Sequence, residues 1–141
     1  MKYYVGIDLG GTNIKAGVVT ESGTILNKKS IKTNATRKME EIIKDMGRLA
    51  AEVIAEAGLS KSDIMAIGIG SPGTPDNKTG CLVYSNNLPF RMAPMRRIIR
   101  ELIDLPVYID NDANCAAMAE SVAGAAKDVE DSITITLGTG I

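Results

Sequence analysis

Residues 5–17 read VGIDLGGTNIKAG. Two β-rich segments, Tyr3 to Leu9 and Asn13 to Thr20, meet at Gly10, Gly11 and Thr12, with Asp8 closing the first and Lys15 just inside the second. A bend of this kind suits a phosphate, because glycine permits positive φ and keeps Cβ atoms out of the way of an anion approaching the turn's amides. Asp8 would act on the same phosphates through a hydrated Mg²⁺, an ion that keeps its waters and favours carboxylate oxygen. Thr12 adds a hydroxyl donor and Lys15 a compact positive charge. Two glycines alone would read as an ordinary hairpin with a polar rim; Asp, Gly, Gly, Thr and then Lys together point to nucleotide phosphate.

Outward from this bend, a second turn at Glu21, Ser22 and Gly23 leads to a third β-rich segment, Thr24 to Thr33, so the chain opens as an antiparallel meander. Met39, Ile42, Ile43, Met46, Leu49, Ala50, Val53, Ile54 and Ala57 then recur at three- and four-residue steps, the mark of one long amphipathic helix. Thr36 is placed to cap it, Glu40 and Glu41 suit its positive end, and Gly58 ends it. IMAIGIG, residues 64–70, is near-continuously apolar and reads as a strand covered on both faces. A long loop from Ser71 to about Pro94 carries four of the five prolines. A helix over Met95 to Asp104, a strand over Val107 to Asp110, a small-residue helix from Asn111 to Ala126 and a strand over Ser132 to Leu137 complete the order. Three hairpin-linked strands followed by alternating helix and strand define an α/β layer, ribonuclease-H-like rather than doubly wound, with the later strands parallel to the first. The methionines at 39, 46, 65, 92, 95 and 118 read mostly as core filling, and the pairs KK at 28 and RR at 96 as solvated faces.

GIGSPG, residues 68–73, matches the spacing of a dinucleotide fingerprint, but that motif needs a helix to begin inside it. Here Pro72, Gly73 and Pro75 run into Asp76, Asn77 and Gly80, which cannot be helical. No P-loop pattern occurs either. The stretch is a structural turn or the wall of a polar ligand site, and Asn86 and Asn87 downstream, each donor and acceptor, suit a hydroxyl-rich ligand. Asp110, Asn111 and Asp112 fall where a parallel strand ends and a helix begins, the edge at which α/β proteins place ligands. A carboxylate held anionic by the helix N-terminus can accept the proton of a substrate hydroxyl as its oxygen attacks a phosphoryl group. Asp and Asn also serve as plain helix caps there, and spacing does not say which aspartate is the base.

Composition sets the outer limits. The 141 residues are 45% hydrophobic and 23% charged, enough for one compact core. Sixteen basic residues against 17 acidic ones, with no long run of either, exclude nucleic acid and anionic membrane as expected partners. No signal peptide or membrane-length apolar run occurs, so a cytoplasmic location is expected. Cys81 and Cys115 stand apart and histidine is absent, which removes zinc, disulfide and Ser-His or Cys-His readings.

Taken together, DLGGTNIKAGVV at 8–19, GIGSPG at 68–73, SNNL at 85–88, DNDANCAAMAE at 110–120 and LGTGI at 137–141 resemble the N-terminal half of a ROK-family sugar kinase, glucokinase-like, within the actin, Hsp70 and hexokinase superfamily. The resemblance implies that Asp8, Gly10, Gly11, Thr12 and Lys15 form a first phosphate segment and that Gly138, Thr139 and Gly140 begin a second. It implies Asp112 as catalytic base, with Gly73, Thr74, Asn87 and Asn111 contacting sugar hydroxyls, and ATP and Mg²⁺ as the cofactors. The implied reaction is transfer of a γ-phosphoryl group to a hexose or N-acetylhexosamine hydroxyl. Family members continue past LGTGI into more glycines, a His and a Glu of the sugar pocket, a Cys-rich zinc box and the adenine site. Residues 1–141 are therefore expected to be an N-terminal domain truncated at the second phosphate motif, inactive alone, from a full-length homo-oligomer. The family's repressors carry a DNA-binding segment ahead of the first motif; only seven residues precede Asp8, which speaks for the kinase. A chaperone-like or filament-forming ATPase shares the first turn, but GIGSPG and DNDAN argue against it.

Overall fold

The computed structural model describes residues 1–137. Strands β1 (Tyr3–Leu9), β2 (Asn13–Thr20) and β3 (Ile25–Lys32) form the expected meander. Strands β4 (Ile64–Ser71) and β8 (Val107–Asn111) extend the sheet in parallel, in the order β3-β2-β1-β4-β8. This is the ribonuclease-H-like arrangement.

Burial is one-sided. Val5, Ile7 and Leu9 of β1 alternate with exposed Gly6 and Asp8; Ile14, Ala16 and Val18 of β2, Ile67 and Ile69 of β4, and Val107 and Ile109 of β8 point to the same side. Helices α1 (Met39–Glu56) and α2 (Met95–Leu102) cover that side, α1 with Ile42, Ile43, Met46, Leu49, Ala50 and Val53 and α2 with Met95, Ile98 and Ile99. The opposite face is open over β1 and β2, where Gly17, Gly6 and Gly68 pair in one row with Tyr108. β4 is thus not covered on both faces: Met65 is 50% exposed and Gly68 is exposed. Its outward residues are themselves apolar or glycine, so composition conceals the one-sided burial, and a register shift between Ile64 and Ile67 puts Met65 outward while both isoleucines stay buried.

Helix α1 starts later than its capping signal. Its N-cap is Lys38, with no side-chain cap, because residues up to 38 turn out of β3 through Asn34 at φ +49°. Thr36 is therefore no cap, whereas Glu40 and Glu41 do lie in the first turn and Gly58 takes φ +72° just past the end. The long loop contains a second sheet, β5 (Thr74–Asp76), β6 (Cys81–Tyr84) and β7 (Arg91–Ala93), in that order. Pro75 is tolerated because β5 is an edge strand. Arg96 clamps this sheet to the main one. Its guanidinium donates to the carbonyls of Val107, Lys78 and Asn77 and to Asn77 Oδ1, at 2.7–3.1 Å, and Asn77 Oδ1 also accepts from the Ile109 amide. The RR pair is therefore half a structural lock. Lys29, from the other basic pair, bridges to Glu52 and Glu56 of α1 at 2.8 and 2.9 Å, which pushes its ammonium well above the usual range.

Helix α3 (Asp112–Ala123) buries none of its residues. Residues 132–137 have the alternation of a strand but form no ladder, and Ile133, Ile135 and Leu137 are 92%, 70% and 78% exposed. Period-2 patterning provides a face; a strand also needs a neighbour for its backbone groups. Among the methionines, 46 and 95 are buried, but 65, 92 and 118 are exposed, so core filling holds for only some of them. No helix among the described residues is long and apolar enough to cross a membrane.

The one-sided core makes a direct contrast on β4. Ile67→Ala, at a residue 0% exposed, is expected to lower unfolding free energy by about 2–5 kcal/mol in a denaturant titration. Met65→Ala, two residues away on the open face, is expected to change it by no more than about 0.5 kcal/mol.

Candidate active site

The β1–β2 bend is built differently from a positive-φ turn. Neither Gly10 nor Gly11 takes positive φ. Gly10 is required instead by a close approach: its amide donates to the Asn13 carbonyl at 2.9 Å, and a Cβ there would lie 2.8 Å from that same oxygen. Among the described residues no internal acceptor takes the amides of Gly11 or Thr12. Such free amides at a sheet edge are what an anion needs.

Strand register then lines up the charges. Lys15 pairs with Asp8, Asp8 with Gly70, and Gly70 with Asp110, so one row crosses β2, β1, β4 and β8 on the open face. Two strand spacings separate the Asp8 and Asp110 backbones, roughly 10 Å. Gly70 leaves the space between them bare, and α3 begins directly above it: a Cβ on Gly70 would lie 3.6 Å from Asp112 Cα and 3.5 Å from Cys115 Sγ.

The start of α3 is fastened by its own polar residues. Asn111, the N-cap, accepts on Oδ1 from the Ala113 and Asn114 amides at 3.0 and 3.4 Å, and its Nδ2 donates to the Gly73 carbonyl at 3.1 Å. Asp110 Oδ1 accepts from the Asn111 amide at 2.7 Å and from Asn114 Nδ2 at 3.1 Å. Asp112 Oδ1 accepts from the Ala113 amide at 2.9 Å, and its side chain is exposed. Of the two aspartates, Asp110 is thus engaged in holding the helix, and Asp112 is freer to meet a ligand. The carboxylates leave an electrostatic trace on Cys115, whose thiol is pushed up first by burial and then by the charges of Asp110, Asp112 and Asp8.

A cavity of about 1250 Å³ lies over this row, and Asp8, Lys15, Gly70, Asn87, Asp110 and Asp112 all line it. Gly10, Gly11 and Thr12 lie beyond its wall, with Gly11 close to Asn87: a Cβ on Gly11 would come within 3.7 Å of Asn87 Cβ. Gly73, Thr74 and Asn111 do not line it either, although Asn111 is bonded to Gly73 and Thr74 opens β5 beside it. Gly73 demands glycine, at φ +88° with a Cβ that would collide with the Tyr84 carbonyl. Gly138, Thr139 and Gly140 lie outside the described residues. Reading the sequence assigns no role to Thr33, Asn114 or Cys115: the last two lie inside DNDANCAAMAE without a part of their own, and a threonine ending a strand has no signal at all.

Among the described residues no group of three or more His, Cys, Asp or Glu is placed to hold a metal. The donor set still fits Mg²⁺, which is commonly held by one or two carboxylates with waters and phosphate oxygens completing its shell.

A glucokinase from Halalkalibacterium halodurans is 38% identical over 99% of this chain and 42% of its own length. A putative xylose repressor from Caldicellulosiruptor sp. strain Rt8B.4 is 31% identical over 97% of the chain and 34% of its length. Among solved structures, a ROK family glucokinase from Streptomyces griseus in complex with glucose and AMPPNP superposes with TM-score 0.80 at 32% identity, over 89% of this chain and 38% of that one. The chain spans about two fifths of the length of these kinase relatives. The ROK family model matches residues 4–141, and this chain, with its glycine hairpin, bare Gly70 and asparagine-capped helix on one sheet edge, belongs to the ROK family.

Proposed function

We propose that this chain is the N-terminal, phosphate- and sugar-binding part of an ATP-dependent kinase acting on a hexose or N-acetylhexosamine. One observation carries the reading: a single register row sets Lys15 and Asp8 on one side of Gly70, with Asp112 poised over that glycine from the helix above. Relatives of both kinds, kinase and repressor, are consistent with sugar recognition; the glucokinase relatives and the nucleotide-type hairpin favour catalysis.

In this reading the Gly11 and Thr12 amides and Lys15 hold the polyphosphate, Asp8 holds hydrated Mg²⁺, and Gly138, Thr139 and Gly140 add a second phosphate contact. Bound ATP·Mg²⁺ supplies the phosphoryl group and neutralises its charge. Asn111, Gly73, Thr74 and Asn87 orient the sugar, the Asn111 bond to Gly73 joining the sugar loop to the catalytic helix. Asp112, anionic beside the positive end of α3, accepts the proton of the attacking hydroxyl. Positioning and charge neutralisation supply the rest of the rate.

In the whole protein containing this chain, Asp112→Asn is expected to lower kcat for sugar-dependent ADP formation by about 10²- to 10⁴-fold with an unchanged thermal midpoint. Near-normal turnover rejects Asp112 as base. Rates equal with and without sugar across a hexose panel favour a plain ATPase, and sugar-sensitive binding to operator DNA without turnover favours a repressor. Asn111→Asp keeps the capping oxygen but loses the donor to Gly73. Its KM for sugar is expected to rise about five- to tenfold while the KM for ATP stays put.

A further inference from the structure

The bond that orients the hairpin comes from a residue outside every motif. Thr33, just past β3, is 0% exposed. Its Oγ1 donates to the Gly10 carbonyl at 2.7 Å, and its amide donates to the Thr12 carbonyl at 2.9 Å. Thr33 is itself fixed from behind: Arg37 Nη2 donates to its carbonyl at 2.8 Å and pairs with Asp45 of α1 at 2.8 Å, both side chains being mostly buried.

The Gly10 carbonyl and the Gly11 N–H belong to one peptide plane and point in opposite directions across a trans bond. Holding that carbonyl on the Thr33 hydroxyl therefore turns the Gly11 N–H away from the core. A flip of this peptide would aim a carbonyl oxygen, not a donor, at an incoming anion, and between two flanking glycines little steric resistance opposes it. We infer that Thr33 is the positioning residue of the phosphate hairpin: its buried hydroxyl sets the Gly10–Gly11 peptide so that the Gly11 amide is presented to the nucleotide's phosphates. The inference rests on the kinase reading for the identity of the anion, and on the hydrogen bonds alone for the orientation.

Thr33→Val is nearly isosteric and removes only the hydroxyl, whereas Thr33→Ser retains it. In the whole protein, Thr33→Val is expected to weaken ADP binding by calorimetry, and to raise the KM for ATP, by about tenfold, with the KM for sugar within about twofold of wild type. Thr33→Ser is expected to stay within about twofold on all three. Should the valine variant not fold, Thr33→Ala is compared with Thr33→Ser in the same way. Wild-type nucleotide affinity in the variant without a hydroxyl overturns the inference, as does equal impairment of the serine variant in step with a lost thermal midpoint. A wild-type protein that binds ADP but phosphorylates no sugar sinks the kinase reading and leaves Thr33 judged by ADP affinity. One that binds no nucleotide overturns both.

Discussion

The site depends on strand register under one-sided burial. Val5, Ile7 and Leu9, Ile14, Ala16 and Val18, and Ile67, Ile69, Val107 and Ile109 must all face α1 and α2. A slip of one residue on any strand would turn its apolar set to water and bury its polar partner, so the register is strongly specified. Specifying the inner face specifies the outer one, and Lys15, Asp8, Gly70 and Asp110 fall in a row there as a consequence. The hydrophobic core therefore positions the charges without touching them.

Glycine does two different jobs along that row. At Gly70 the missing side chain makes room for the first turn of α3, which brings Asp112 and Cys115 down onto the sheet. At Gly10 it admits the carbonyl of Asn13, and the bend closes without a left-handed residue. Three carboxylates then share one hollow, and their mutual field is felt by the Cys115 thiol. Lys15, the amides at the bend and the N-terminus of α3 are the positive counterweight.

The polar ties are short-range and specific. Asn111 joins α3 to the Gly73 turn, Arg96 joins the small sheet to the large one, and Thr33 joins the bend to α1 through Arg37 and Asp45. Each links segments far apart in the chain, and each uses backbone carbonyls as acceptors, which any residue type provides. Such contacts leave no trace in composition or periodicity.

Local chemistry and periodicity were enough, from the amino acids alone, to read the meander, α1's apolar stripe, the parallel strands over 64–70 and 107–110, each one residue short of its end, and the residue types around the bend and at 110–112. Those features are set within a few residues of one another: alternation, three- and four-residue steps, glycine, and caps. Only the tertiary structure decided that one face of β4 stays open, that three short strands of the proline-containing loop form a second sheet, that 132–137 stays unpaired, and that Asp112 rather than Asp110 is the freer carboxylate. The physical reason is common to all four. Each depends on which distant backbone groups and surfaces meet, and a hydrogen bond or a buried face has no sequence signature at the partner that merely accepts it.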